Sequence, residues 1–140
     1  MIFTVCDLEK EAASLLEYLQ KQIESGKQLV LLTGDLGAGK TALVKHYVQS
    51  LGGEAAEVDS PTFSIVNTYQ LKGQSIHHFD LYRLASLEEI EDIGFMEYVD
   101  SGDTCFVEWP QKIAEFLPEE HVLNVDISLS SLLCRNYSFS

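Results

Sequence analysis

Apolar side chains recur at helical spacing at Leu8, Ala12, Leu15, Leu16, Leu19 and Ile23. That spacing predicts an amphipathic helix, opened by Asp7 as its N-cap and closed before Gly26. The continuous run Leu29-Val30-Leu31-Leu32-Thr33 has the length and character of a strand buried on both faces. A second helix presents Leu43, Val44, Tyr47, Val48 and Leu51 on one side and stops at Gly52-Gly53. Phe63 to Tyr69 and Ser75 to Asp80 are predicted strands with a turn around Lys72-Gly73. Ser86 to Glu89 forms a capping box that opens a short helix, ended by Gly94. Thr104-Cys105-Phe106-Val107 is another buried-strand run, finishing on Glu108-Trp109. From Val122 to Leu129 the pattern becomes strict alternation, with Leu123, Val125, Ile127 and Leu129 on one face. It predicts a half-exposed antiparallel strand, with Leu132 to Phe139 as its hairpin partner. The fold class is α/β: a mostly parallel central sheet flanked by helices, with antiparallel edge strands. With no repeat, low-complexity tract or linker in view, residues 1–140 are expected to form one domain.

Charge narrows the choice of partners. The 140 residues carry 22 acids against 9 bases, a net charge of −13. Such a field repels nucleic acid, whose binding depends on neutralising phosphates with Lys and Arg. Direct DNA binding is therefore not expected, and RNA would have to be held by a partner. No run of about 18 apolar residues occurs, so no membrane span is expected, and the N-terminal residues lack a signal peptide's basic start and apolar stretch. A cytoplasmic location is expected. Cys6, Cys105 and Cys134 are far apart and odd in number, with neither a Cys-x-x-Cys pair nor zinc-ligand spacing. They are read as reduced thiols used as small hydrophobes.

The chemistry concentrates between the first buried strand and the second helix. Gly34-Asp35-Leu36-Gly37-Ala38-Gly39-Lys40-Thr41 satisfies G-x-x-x-x-G-K-[ST] at every fixed position. The glycines let successive backbone N–H groups face phosphate oxygens, and the helix adds its positive N-terminal end. Lys40 can reach β- and γ-phosphates, and the Thr41 hydroxyl can take one position on an octahedral magnesium ion. The fold is thus P-loop NTPase-like. Asp35, Leu36, Gly37, Ala38, Gly39, Lys40 and Thr41 are the expected ATP/ADP-binding residues.

Such a loop also needs a carboxylate at the end of a neighbouring buried strand, to hold Mg²⁺ and its waters. Glu108 ends the more apolar strand and is assigned with Thr41 to the metal. Asp80 is expected to orient the attacking water or to support the metal from further out. His77 and His78 alternate across a strand, so at most one faces the site, and packing or exposure is the favoured reading for each. Within Ser60-Pro61-Thr62-Phe63, Thr62 is a candidate γ-phosphate sensor, with a plain Ser-Pro turn as the alternative. Trp109, directly after Glu108, lies near the nucleotide or serves as a partner contact, with core packing as the competing reading.

A guanine-specific GTPase is disfavoured by the lack of an Asn-Lys-x-Asp string and by Asp80-Leu81-Tyr82-Arg83 where Asp-x-x-Gly would stand. A small-molecule kinase, which closes an arginine-bearing lid over the phosphates, is disfavoured because Arg83 and Arg135 are the only arginines. The P-loop, Ser60-Pro61-Thr62-Phe63, His78-Phe79-Asp80-Leu81-Tyr82-Arg83-Leu84 and Val107-Glu108-Trp109-Pro110 together resemble the bacterial TsaE proteins, formerly YjeE. The resemblance runs from about Leu29 to Pro110. It implies a slow ATP hydrolase that binds the TsaB–TsaD pair in making threonylcarbamoyladenosine, the modified adenosine beside the anticodon of tRNA. The family's metal residues fall on Thr41 and Glu108, its acidic strand end on Asp80, and an adenine-contacting arginine on Arg135. No N-terminal nucleotide contact is assigned, since Cys6 to Leu19 offers only Ser14 where the family usually has a threonine. The other reading left open is a nucleotide-dependent binding switch with negligible hydrolysis.

Overall fold

The computed structural model describes residues 1–35, 37–53 and 65–140. These form one seven-stranded sheet: β1 (Ile2–Val5), β2 (Leu29–Thr33), β3 (Val66–Leu71), β4 (Gln74–Asp80), β5 (Thr104–Glu108), β6 (Val122–Leu129) and β7 (Arg135–Phe139). Across the sheet the order is β1-β7-β6-β2-β5-β4-β3. The central strands β6, β2, β5 and β4 run parallel, while β3, β7 and β1 add on antiparallel. The helices are α1 (Leu8–Glu11), α2 (Ala13–Glu24), α3 (Lys40–Ser50), α4 (Leu87–Asp92) and α5 (Phe95–Asp100). This is the α/β architecture that the alternation of helical and strand periodicity predicts.

Period-two alternation divides the core. Val30, Leu32, Ile76, Phe106, Leu123, Val125 and Ile127 face α2 and α3, where they meet Leu15, Leu19, Leu43, Val44, Tyr47 and Val48. Leu29, Leu31, Phe79, Cys105 and Val107 face the other way, onto Ile90, Phe95, Val99, Ile113 and Leu117. Phe106 is completely buried against the Tyr47 ring, with centroids 5.4 Å apart. Truncating a ring so placed costs about 3–5 kcal/mol.

Local signals hold where they rest on local bonds. The Asp7 carboxylate accepts from the Glu9 amide at 3.0 Å, as an N-cap should. Ser86 Oγ accepts from the Glu89 amide at 3.3 Å, and the Glu89 carboxylate reaches back to the Ala85 amide at 2.8 Å. The first helix differs from expectation. It breaks at Ala12 into α1 and α2, although its apolar spacing continues through the break. Gly94 itself takes a left-handed conformation and starts α5 directly. β6 is not purely antiparallel, because it lies parallel to β2 on one side and antiparallel to β7 on the other.

β1 was not foreseen, and it changes the reading of the cysteines. Its antiparallel pairing with β7 sets Val5 opposite Arg135. The next residue on one strand and the preceding one on the other, Cys6 and Cys134, are therefore adjacent, and they form a disulfide. Distance in sequence said nothing about distance across a sheet, so the expectation of reduced thiols is wrong for this pair. Cys105 does remain a buried thiol, and burial pushes its pKa up to about 12. Among the described residues, no helix is long and apolar enough to cross a membrane.

Candidate functional site

The loop between β2 and α3 bends on glycine. Gly34, Gly37 and Gly39 have φ of 152°, 80° and 107°, values that side chains rarely tolerate. A Cβ on Gly34 would come within 2.6 Å of the Ile127 carbonyl oxygen, so the loop lies flush against β6. Gly39 caps α3 without any side-chain hydrogen bond, leaving the helix's first amides for an anion. Arg135, from β7, lies over Gly39, and its Nη2 donates to the Gly37 carbonyl at 3.4 Å. The loop borders a cleft of about 390 Å³ that it shares with residues 126–129 of β6.

Lys40 opens α3 and is only 5% exposed. Its Nζ donates to the Gly34 carbonyl at 2.8 Å and sits 3.7 Å from the centre of the Trp109 ring. Burial lowers its pKa, and the charges of Glu108, Asp80 and Asp35 pull the other way. Trp109 follows β5 at φ 58°, an uncommon conformation for a bulky residue, and its ring packs on Tyr82 with centroids 4.9 Å apart. The indole is half-buried beside the phosphate loop and absent from both core clusters, so it is not a core residue.

Thr41, one residue into α3, donates from Oγ1 to Glu108 Oε2 at 3.0 Å. β4 and β5 run parallel with Asp80 opposite Glu108, so two carboxylates end adjacent strands under the helix. Asp80 Oδ1 also accepts from the Tyr82 amide at 3.0 Å, which fixes its side chain at the strand end. Among the described residues no three His, Cys, Asp or Glu side chains gather to hold a metal by themselves. Mg²⁺ does not need that, because it takes one or two protein oxygens and fills its octahedron with water and phosphate. The hard-oxygen pair Thr41 and Glu108, beside a glycine cradle and a buried ammonium, fits such an ion.

Sequence reasoning thus selected Asp35, Gly37, Ala38, Gly39, Lys40, Thr41, Asp80, Glu108, Trp109 and Arg135, all of which lie in or beside this loop. Leu36 and Thr62 fall outside the described residues. As the alternation of the two histidines requires, one of them faces the site: His78 is fully buried, with Nε2 at 2.5 Å from Glu108 Oε2. The available signal was its i, i+2 relation to Asp80, which puts both on one face of β4. His77 points to the opposite face, between Thr68 Oγ1 at 2.8 Å and Asp103 Oδ2 at 2.9 Å.

Comparison with known proteins bears on the family and the fold. The family described as "Threonylcarbamoyl adenosine biosynthesis protein TsaE" matches residues 6–136. A Haemophilus influenzae protein named tRNA threonylcarbamoyladenosine biosynthesis protein TsaE is 44% identical over 70% of this chain and 62% of its own length. A Rickettsia felis protein of the same name is 38% identical over 78% of this chain and 63% of its own. The chain therefore spans a little over three fifths of the length of these curated relatives. The crystal structure of YdiB from Bacillus subtilis superposes with a TM-score of 0.69 at 25% identity, covering 99% of this chain and 83% of that one.

Proposed function

The chain belongs to the TsaE family, and from that premise we propose that it is a slow Mg²⁺-dependent ATP hydrolase. In this reading it supports threonylcarbamoyladenosine formation on tRNA in the cytoplasm, by acting on a TsaB–TsaD complex that holds the tRNA. The observation that carries the catalytic part is the Thr41–Glu108 hydrogen bond of 3.0 Å beside the buried Lys40.

The backbone of residues 35–41 and the Lys40 ammonium bind the β- and γ-phosphates. Thr41 and Glu108 would hold the metal, which when bound offsets negative charge on the β- and γ-oxygens. Asp80, fixed by the Tyr82 amide, orients the attacking water. Thr62 is kept as the γ-phosphate sensor. Arg135 lies beside the cleft between the loop and β6, where the adenine would sit. The net charge of −13 suits a protein that meets tRNA only through partners.

A second reading, a nucleotide switch with negligible hydrolysis, is favoured by one observation. Lys40 rests on Trp109, which in turn packs against the exposed Tyr82, so recruiting Lys40 to a phosphate removes the support of a surface aromatic pair. Phosphate release from ATP and Mg²⁺, with and without TsaB–TsaD, separates the two. The hydrolase reading expects partner-stimulated release that Lys40→Ala lowers by about two orders of magnitude, the scale of losing one charge-stabilising donor. No release in the presence of partners would replace it with the switch.

A further inference from the structure

Among the described residues two hydrogen bonds reach the Glu108 carboxylate, and both arrive at the same oxygen. Thr41 Oγ1 donates to Oε2 from α3 at 3.0 Å, and His78 Nε2 reaches it from β4 at 2.5 Å. Oε1 lies outside this pair of bonds. His78 is 0% exposed, and its other ring nitrogen, Nδ1, is buried with no hydrogen-bond partner among the described residues. A buried polar atom left unpaired costs about 1–3 kcal/mol. A leucine or phenylalanine at this position would fill the same space without that cost. Packing alone therefore does not account for the imidazole, whereas its bond to Glu108 does.

The register explains how the contact is made. His78 pairs with Phe106 across the parallel β4–β5 ladder, and Asp80 pairs with Glu108. The imidazole thus lies on the same face as both carboxylates, one pleat back, and reaches diagonally to Glu108. With its proton on Nε2, the ring is a donor that holds the carboxylate from below while Thr41 holds it from above.

We propose that His78 is a positioning residue that locks the Glu108 side chain in the rotamer facing Thr41, and so sets how tightly the site takes Mg²⁺. This rests on the reading of Thr41 and Glu108 as the metal pair. Outer partners of metal-ligating groups typically contribute 10- to 100-fold to metal affinity.

The test is Mg²⁺ titration of nucleotide binding, followed with a fluorescent ADP analogue and repeated in EDTA. In His78→Leu the half-saturating Mg²⁺ should rise at least tenfold, while affinity for the analogue in EDTA stays at the wild-type value. His78→Gln, whose amide nitrogen can stand near the lost Nε2, should recover to within about threefold. His78→Asn, too short to reach Glu108, should resemble His78→Leu and supplies the same comparison if the leucine variant does not fold. In a Glu108→Ala background, His78→Asn should cause no further change, because neighbours acting through one group are non-additive. An unchanged Mg²⁺ midpoint in His78→Leu or His78→Asn overturns the inference and leaves the metal reading standing, as does a shift of equal size without Glu108. Wild-type binding that ignores Mg²⁺ altogether overturns both.

Discussion

Replacing Gly34 with alanine tests how the phosphate loop is seated. The new Cβ would stand 2.6 Å from the Ile127 carbonyl oxygen and 3.2 Å from the Ala38 Cβ, at a backbone φ of 152°. Carbon and oxygen are not found that close, and the obstacle is backbone in a central strand, so the loop must move. Conformational strain at such a φ costs about 1–3 kcal/mol, and a forced shift in a packed region about the same again. The expected loss is therefore about 2–6 kcal/mol out of a total stability of roughly 5–15 kcal/mol. Gly26 is the control, since its φ is 111° but nothing lies within 4 Å of its Cβ position. Gly26→Ala carries only the conformational part. At roughly 4 °C per kcal/mol for a chain of this size, Gly34→Ala should melt several degrees below Gly26→Ala. It should also bind ATP more weakly, because the Gly34 carbonyl anchors Lys40 at 2.8 Å. Equal melting temperatures for the two variants, measured by circular dichroism, would refute the close seating of loop on β6.

Trp109 is the only tryptophan, so its emission should change when nucleotide draws Lys40 from its ring, and Lys40→Ala should abolish that response. Reducing the Cys6–Cys134 bond, or replacing both cysteines with serine, should lower the melting temperature. Loop closure over 128 residues sets an upper bound near 5 kcal/mol, and β1–β7 pairing already restrains the same ends, so about 2–3 kcal/mol is expected. A reduced protein that melts like the oxidised one would remove the bond from any structural role. At high pH, Cys105 and Tyr47 act together, since burial raises each to about 12. Both hold their protons more strongly when folded, so their contribution is complete below the unfolded values near 9 and 10 and is lost as pH climbs towards 12. Cys105→Ala should accordingly flatten the alkaline fall in stability between pH 9 and 12, as measured by urea denaturation.

The parts legible in the sequence are those whose cause is local. The phosphate loop is a run of eight residues whose glycines, lysine and threonine each answer one demand of a polyphosphate. β2 and β5 announce themselves as short apolar runs, and β6 by alternation. β1 does not, because Ile2-Phe3-Thr4-Val5 is too short for a period and its partner lies about 130 residues away. The disulfide was hidden for the same reason. His78 was visible as a histidine in a strand, but its role depends on which face of β4 turns towards Glu108, and that depends on inter-strand register. The break at Ala12 has no signal in the apolar spacing at all.

The order β1-β7-β6 also has a consequence for synthesis on the ribosome. β1 is made about 130 residues before β7, and its hydrogen-bonding edge stays open until β7 emerges. At 5–20 residues per second that is a wait of roughly 7–26 s, long compared with the microseconds in which a local hairpin closes. Arg135 arrives on that same late strand and then settles over Gly39. A nascent chain stalled before β7 would thus have the whole glycine loop but neither a covered N-terminal edge nor its arginine.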